Sequence, residues 1–387
     1  MKAKIQLSDH FTYGKLLRFT LPSIVMMVFT SIYSVVDGFF ISNFAGKTAF
    51  AALNLIWPFL MILGGMGFMI GTGGTALVSR CLGAGQKERA RRYFSMLVEF
   101  TAVLGLILTA IGLIFMEPIA RFLGATEEMI PDCVLYGRIV IAFNVAFMFQ
   151  NVFQSFLIAA EKPRLGLAAT VSAGVTNMVL DALLVGVFRW GLAGAALATG
   201  LSQTVGAVIP MVFFLNRENG SALHFSFTSM EAHPLLQACG NGASELMSNI
   251  SGSIAAMVYN FQLLKIMGED GVSAYGVIMY VGFIFVAIFV GYSIGSAPII
   301  SFHFGAENRE ELKNMFRKSY LLMAVWGIAM ALAAYLLAGP LAKLFVGYDR
   351  QLCELTTHAM GLYCLAFLFT GTNIFTSALF TALNDGT

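Results

Sequence analysis

Charge is what this 387-residue chain has least of: only 11% of it is Asp, Glu, Lys or Arg. A soluble domain carries about a quarter. With 58% hydrophobic residues and a mean hydropathy of +0.79, that scarcity excludes an ordinary water-soluble globule. Cysteine is also sparse. The five (Cys81, Cys133, Cys239, Cys353 and Cys364) show no CxxC spacing, which speaks against a metal knuckle or a disulfide framework. The five histidines form no HExxH or paired motif, and no apolar stretch holds a nucleophile–base or metal-ligand set, so an enzyme is not expected. The short, polar, basic N-terminus precedes an apolar run too long for a signal-peptide core, so no cleavable signal is expected.

What is present is long apolar runs. Only helices and closed barrels satisfy the backbone in lipid, and these runs are far longer than barrel strands, so the chain reads as an all-α polytopic membrane protein. Hydropathy predicts ten spans, near 16–41, 49–79, 93–115, 132–159, 165–187, 191–215, 235–264, 272–302, 315–338 and 352–382. With the N-terminus inside, sixteen Lys and Arg fall in or beside inside segments, Lys2, Lys4 and the Arg80–Arg92 loop among them. Seven, Lys47 and Arg350 among them, fall outside. That bias puts the N-terminus in the cytoplasm of a multi-pass protein of the cell (inner or plasma) membrane.

The chain also repeats itself at an offset of 222 residues. Gly73 matches Gly295, Gly83-Ala84 matches Gly305-Ala306, Lys87-Glu88 matches Arg309-Glu310, and Pro118 matches Pro340. Asn151, Phe153 and Ser155 match Asn373, Phe375 and Ser377. Glycines, loops and prolines in constant register imply two parallel six-helix units related by an axis along the membrane normal, with a substrate path between them. The expected division is a first lobe at 1–216, a cytoplasmic linker at 217–233 and a second lobe at 234–387. Spans five and six would recur at 387–437, so ten of twelve spans are present and the sequence is expected to be a fragment or a truncated product.

Three carboxylates lie well inside spans: Asp37, Asp181 and Glu245. An ionisable group in hydrocarbon is expensive and marks a pathway or a partner. The topology puts Asp37 and Asp181 in the outer half of the first lobe, with Asn177 one turn before Asp181, Thr199 at a similar depth and Tyr136 nearby. Gln150 and Gln154 lie further inward. Two close carboxylates cannot both stay ionised, so the pair holds an exchangeable proton. Alternatively, carboxylate, amide and hydroxyl oxygens bind a hard cation such as Na+, the only metal the chain is expected to take. Asn177 and Thr199 equally fit a role as interhelical glue. Glu245, near the bilayer centre of span seven, is a candidate to meet a cationic substrate or to carry a second proton. Glu99, two turns into span three, reads as structural. Tyr259 occupies the register of Asp37 in the second repeat, so the acidic site has no copy there.

These residues resemble the multidrug and toxic compound extrusion (MATE) transporters, their bacterial and archaeal branch in particular. The resemblance covers essentially the whole chain. It rests on Pro22 and the run YSVVDGFFIS around Asp37, the loops LGAGQKERARR from Leu82 and FGAENREEL from Phe304, the run NMVLDALLV with Asn177 and Asp181, and ALATGLSQ with Thr199. It implies a two-lobed, twelve-helix antiporter exporting cationic or amphipathic drugs in exchange for H+ or Na+. It also implies a first-lobe cation site at Asp37, Asn177, Asp181 and Thr199, and a hinge at Pro22. Tyr136, Gln150, Gln154 and Glu245 are the candidate substrate contacts. No cofactor and no nucleic acid are expected, and a monomer in the bilayer is. Some family members carry an acidic residue in span ten, but residues 355–380 hold none. A lipid-linked precursor flippase of the same broad fold is the nearest rival. It should show a cationic groove, and no first-lobe span has Lys or Arg at its middle. A channel is a further rival, separable by saturable exchange kinetics.

Overall fold

The protein was analysed as a computed structural model that describes residues 5–44, 47–347 and 349–386. Side chains at 35, 38, 39, 41–51, 54, 257, 264, 269 and 272 fall outside that description, as do Lys2 and Lys4; the Lys47 side chain counted above is among them. The described residues form eleven α-helices and no strand: α1 (Tyr13–Phe44), α2 (Lys47–Gly83), α3 (Lys87–Phe122), α4 (Ile130–Ala142), α5 (Asn144–Ala159), α6 (Pro163–Leu180), α7 (Gly191–Leu215), α8 (Ala232–Gly305), α9 (Arg309–Val346), α10 (Arg350–Tyr363) and α11 (Phe367–Ala382). The chain is an all-helical membrane protein.

Each expected span is helical, with three local departures. The stretch 132–159 is two helices, α4 and α5, bent by 52° at Phe143. A π-helical turn, Asp181–Val187, finishes the stretch begun by α6. A short 3-10 turn at Cys364–Ala366 separates α10 from α11. Among the described residues, eight helices are long and apolar enough to cross a membrane, or nine with the bent pair as one span. The expected seventh span, 235–264, is helical but is not among them. Its row of Asn241, Ser244, Glu245, Ser248 and Asn249 lowers its hydropathy. The two halves of α8 meet at Gly268, where φ 68° and ψ −152° is open essentially to glycine alone.

The helices meet through backbone rather than side chains, because glycines sit where they cross. A Cβ at Gly83 would lie 1.9 Å from the Phe302 carbonyl oxygen, and one at Gly305 2.0 Å from that of Arg80. Arg80 and Phe302, like Gly83 and Gly305, are 222 residues apart, so the contact is reciprocal. Next to it, Gly73 and Gly242 bring α2 against the first half of α8, and Gly295 packs on Thr20 of α1. Gly73 matches Gly295 and Thr20 matches Gly242 in the same register. Reciprocity of this kind is what a two-fold relation between repeats requires. Further along α8, Met247, Ile254, Val258, Tyr259 and Phe261 are exposed.

Two non-helical segments brace the tight end. Residues 5–12 lie in a groove where Leu7 and Phe11 are fully buried among Ile158, Ile300, Met315 and Leu379. The Leu7 N–H donates to Glu161 Oε1 at 2.9 Å, beyond the end of α5. The Phe11 N–H donates to Glu311 Oε1 at 2.9 Å in α9, and His10 Nδ1 stands 2.6 Å from the other Glu311 oxygen. The stretch between α7 and α8 runs along α3 in the same manner. There Ser226 N–H donates to Ser95 Oγ, and Thr228 N–H to Glu99 Oε1, both at 3.1 Å. Glu99 therefore has a structural partner.

Substituting Gly305→Val is expected to destabilise the protein by at least about 2 kcal/mol, roughly 4 °C or more in thermal unfolding. Gly339→Ala, where a Cβ meets nothing within 4 Å, should leave the midpoint unchanged or raise it. A second expectation concerns His224, whose Nε2 lies 3.3 Å from Arg91 Nη1. Burial, then the Arg91 and Arg217 guanidiniums, hold this imidazole below its usual range. The fold therefore favours the neutral ring, a contribution present above about pH 6.5 and lost as the pH falls through the lowered value. Thermal melts from pH 7.5 to 5 should fall less steeply for His224→Gln than for the parent.

Candidate functional site

α1, α4, α6 and α7 converge on the carboxylates of the first repeat. α1 reaches its neighbour because Gly174 of α6 has no side chain: a Cβ there would lie 2.4 Å from Phe29 and 2.9 Å from Tyr33. That approach brings Asp37 beside Asp181 and Asn177. Asp181 is fully buried and opens the π-helical turn, where the extra residue per turn re-aims the side chain. Asn177 stands one turn before it, also buried. Thr199 of α7 completes the group with Tyr136 of α4, which adjoins Thr199 and both aspartates. Tyr136 thus sits inside the carboxylate cluster.

The electrostatics of the cluster follow from what it lacks. Asp37 Oδ1, both Asp181 carboxyl oxygens, Asn177 Oδ1, Thr199 Oγ1 and Tyr136 Oη are buried with no hydrogen-bond partner among the described residues. Each such group costs about 1–3 kcal/mol when left unpaired, more when charged. Six helix-borne oxygens, three of them from the two carboxyls and with no cationic side chain among the described residues to offset them, make a site that wants a proton or a hard cation. Among the described residues no three His, Cys, Asp or Glu side chains come together, so the donor set is not one for a transition metal.

The other candidates lie elsewhere. Pro22 is buried in α1 and has no N–H to give the Arg18 carbonyl one turn back. Gln150 packs on Gly206 of α7, where a Cβ would be 2.8 Å from its amide carbon. Gln154 Nε2 stands 4.0 Å from Met27 Sδ of α1. Glu245 is apart from all of these. It lines a cavity of about 50 Å3 between the repeats, with Thr72, Thr75, Ser155, Ser293 and Thr381 and an otherwise apolar wall.

Two residues near the cluster escaped the sequence reading. Tyr33 adjoins Asp37, and Gln203 is buried with an unpartnered Oε1. Each is four residues from a chosen one, Asp37 and Thr199, so same-face helical spacing was the available signal.

An all-helical membrane protein with duplicated units closed on one another at glycines, and a buried carboxylate cluster in only one of them among the described residues, has the form of a carrier. The MatE family model matches residues 22–183 and 246–387, more than half of the chain, and the chain belongs to that family. It is 22% identical over 374 residues to the multidrug export protein MepA of Staphylococcus aureus (strain MSSA476), covering 97% of this chain and 82% of that protein. Among solved structures it is similar to the outward-facing conformation of a multidrug resistance MATE transporter of the MOP superfamily. There the TM-score is 0.90 at 22% identity, over 96% of this chain and 82% of the other. It is likewise similar to a MATE transporter in the straight conformation, with a TM-score of 0.90 at 22% identity, over 97% and 84%.

If Asp37 and Asp181 adjoin as described, cysteines there should crosslink. With the five native cysteines replaced by serine, Asp37→Cys paired with Asp181→Cys is expected to form a disulfide under mild oxidant. Asp37→Cys paired with Glu245→Cys should not, as read by mass spectrometry of the digested protein.

Proposed function

We propose that the protein is a secondary multidrug exporter of the cell membrane, moving cationic amphipathic compounds outward in exchange for H+ or Na+. The observation that carries this reading is the cluster at Asp37 and Asp181: buried carboxylates, an amide, a hydroxyl and a phenol converging without a cation of their own. Such a site binds and releases a monovalent ion. The N-terminal face is cytoplasmic in this reading, following the Lys and Arg bias. The division into lobes at 1–216 and 234–387, joined by 217–233, accords with the reciprocal contacts.

The seam between the repeats supports alternating access. It is shut at the N-terminal face by Gly83 and Gly305. The cavity at Glu245, about 50 Å3, is far below the roughly 300–1,000 Å3 that a drug-sized ligand needs. Glu245 therefore meets substrate only after the seam opens on the cytoplasmic side, and ion binding at Asp37/Asp181 favours the state that expels it. Coupling then lies in the different affinities of the two states. Tyr136 belongs with the ion, and Gln150 and Gln154 line the inner part of the first repeat, within reach of a substrate that enters it. Pro22 gives α1 a point of bending. A flippase for anionic lipid-linked precursors is disfavoured by a seam cavity lined with Glu245 and, among the described residues, no Lys or Arg.

The test is dye transport in proteoliposomes under a proton gradient alone and a Na+ gradient alone. Transport of a cationic dye under one gradient, at least tenfold lower in Asp37→Asn and in Asp181→Asn, is expected. Wild-type rates in both variants would remove the aspartates from the mechanism, and no transport under either gradient would remove the multidrug reading.

A further inference from the structure

The carboxylate cluster and the seam cavity are separate places, yet the polar groups between them are not scattered. On α7, Thr199, Gln203 and Gly206 are spaced to share one face. Gln203 is 8% exposed and its Oε1 has no partner among the described residues. Gly206 meets Gln150 of α5. One turn along α5 comes Gln154, and beside it Ser155, whose unpartnered Oγ opens on the seam cavity with Glu245. The row continues across that cavity to Thr75 and Ser293, each at most 3% exposed and each with an unpartnered hydroxyl. A buried amide or hydroxyl left unpaired costs about 1–3 kcal/mol. Several such groups on one line suit a passage that a hydrated ion crosses, and suit a purely packed interior badly.

Resting on the proposed function, we propose that Thr199, Gln203, Gln150, Gln154 and Ser155 form a polar passage inside the first repeat, through which the coupled ion moves between Asp37/Asp181 and the seam at Glu245. Na+ would exchange amide and hydroxyl oxygens for water along the row. A proton would travel on water, leaving the Asp37/Asp181 pair one charge more negative and adding to the Glu245 carboxylate or to bulk water. The amides donate and accept hydrogen bonds along the way, and neither gain nor lose a proton. Gln203 is the residue to test, since its carbonyl faces no other donor and it carries no charge of its own. The passage joins an ion held deep in the first repeat to the seam, from which the ion reaches the cytoplasm when the seam opens on that side.

The experiment separates holding the ion from moving it. Equilibrium binding of radiolabelled Na+, and proton release followed with a pH dye, are measured on purified protein. Exchange rates are measured by stopped flow in proteoliposomes. Gln203→Leu and Gln154→Leu are expected to bind the ion within twofold of the parent while exchange slows at least tenfold. Exchange at the parental rate in both Leu variants would overturn the passage. So would a loss of binding as large as the loss of rate, which would make these side chains ligands of the site itself. The corresponding Gln203→Met or Gln154→Met, similar in length and volume, replaces a Leu variant whose thermal midpoint falls. Asp37→Asn runs alongside: parental binding and exchange in that variant would fail the coupling site, an outcome distinct from failure of the passage.

Discussion

Close backbone contact at glycine is the constraint on which the other features depend. Gly83 against Phe302 and Gly305 against Arg80 leave no room for a side chain. α2 and α8 therefore cross at a distance that larger residues forbid. In lipid there is little hydrophobic drive to join helices, so such crossings gain from van der Waals contact between small residues instead. The same crossing closes the cavity around Glu245 down to about 50 Å3. It also sets α1 between its own repeat and α8, with Gly291 on Ile24 and Gly295 on Thr20. α1 is thus gripped on both sides.

The two repeats have kept their frame and lost their chemical likeness. The glycines and loops agree in register, whereas Asp37 matches Tyr259, and Glu245 matches Ser23. Each repeat thus holds a carboxylate that the other does not. One sits in a cluster of orphaned oxygens, and the other in a seam whose largely apolar wall carries the hydroxyls of Thr72, Thr75, Ser155, Ser293 and Thr381.

Much of this was legible beforehand because it is written in features that survive without tertiary context. Long apolar runs located the helices, and a 222-residue offset located the repeat. Depth in the membrane grouped Asp37, Asn177, Asp181, Thr199 and Tyr136, since topology alone fixes which helix ends share a level. The bend at Phe143 was not legible, because no Pro or Gly marks it; it is met by Gly200, whose Cβ would lie 2.1 Å from that ring. Nor was the π-helical turn at Asp181, which depends on packing around it. Gln203 and Tyr33 were within reach of the i, i+4 rule. The seam cavity was not, because its walls come from α2, α5, α8 and α11 at once.

The segment at residues 5–12 ties together parts of the chain that are far apart in sequence. Its Leu7 N–H is held by Glu161 between α5 and α6, and its Phe11 N–H by Glu311 in α9, with both side chains buried between them. These anchors belong to different repeats, and the cord between them is only a few residues long. Parting the repeats at this end must therefore peel the cord from one anchor. Residues 5–12 then work as a zip threaded on both sides, and their two anchors set part of the work of opening the repeats at this face.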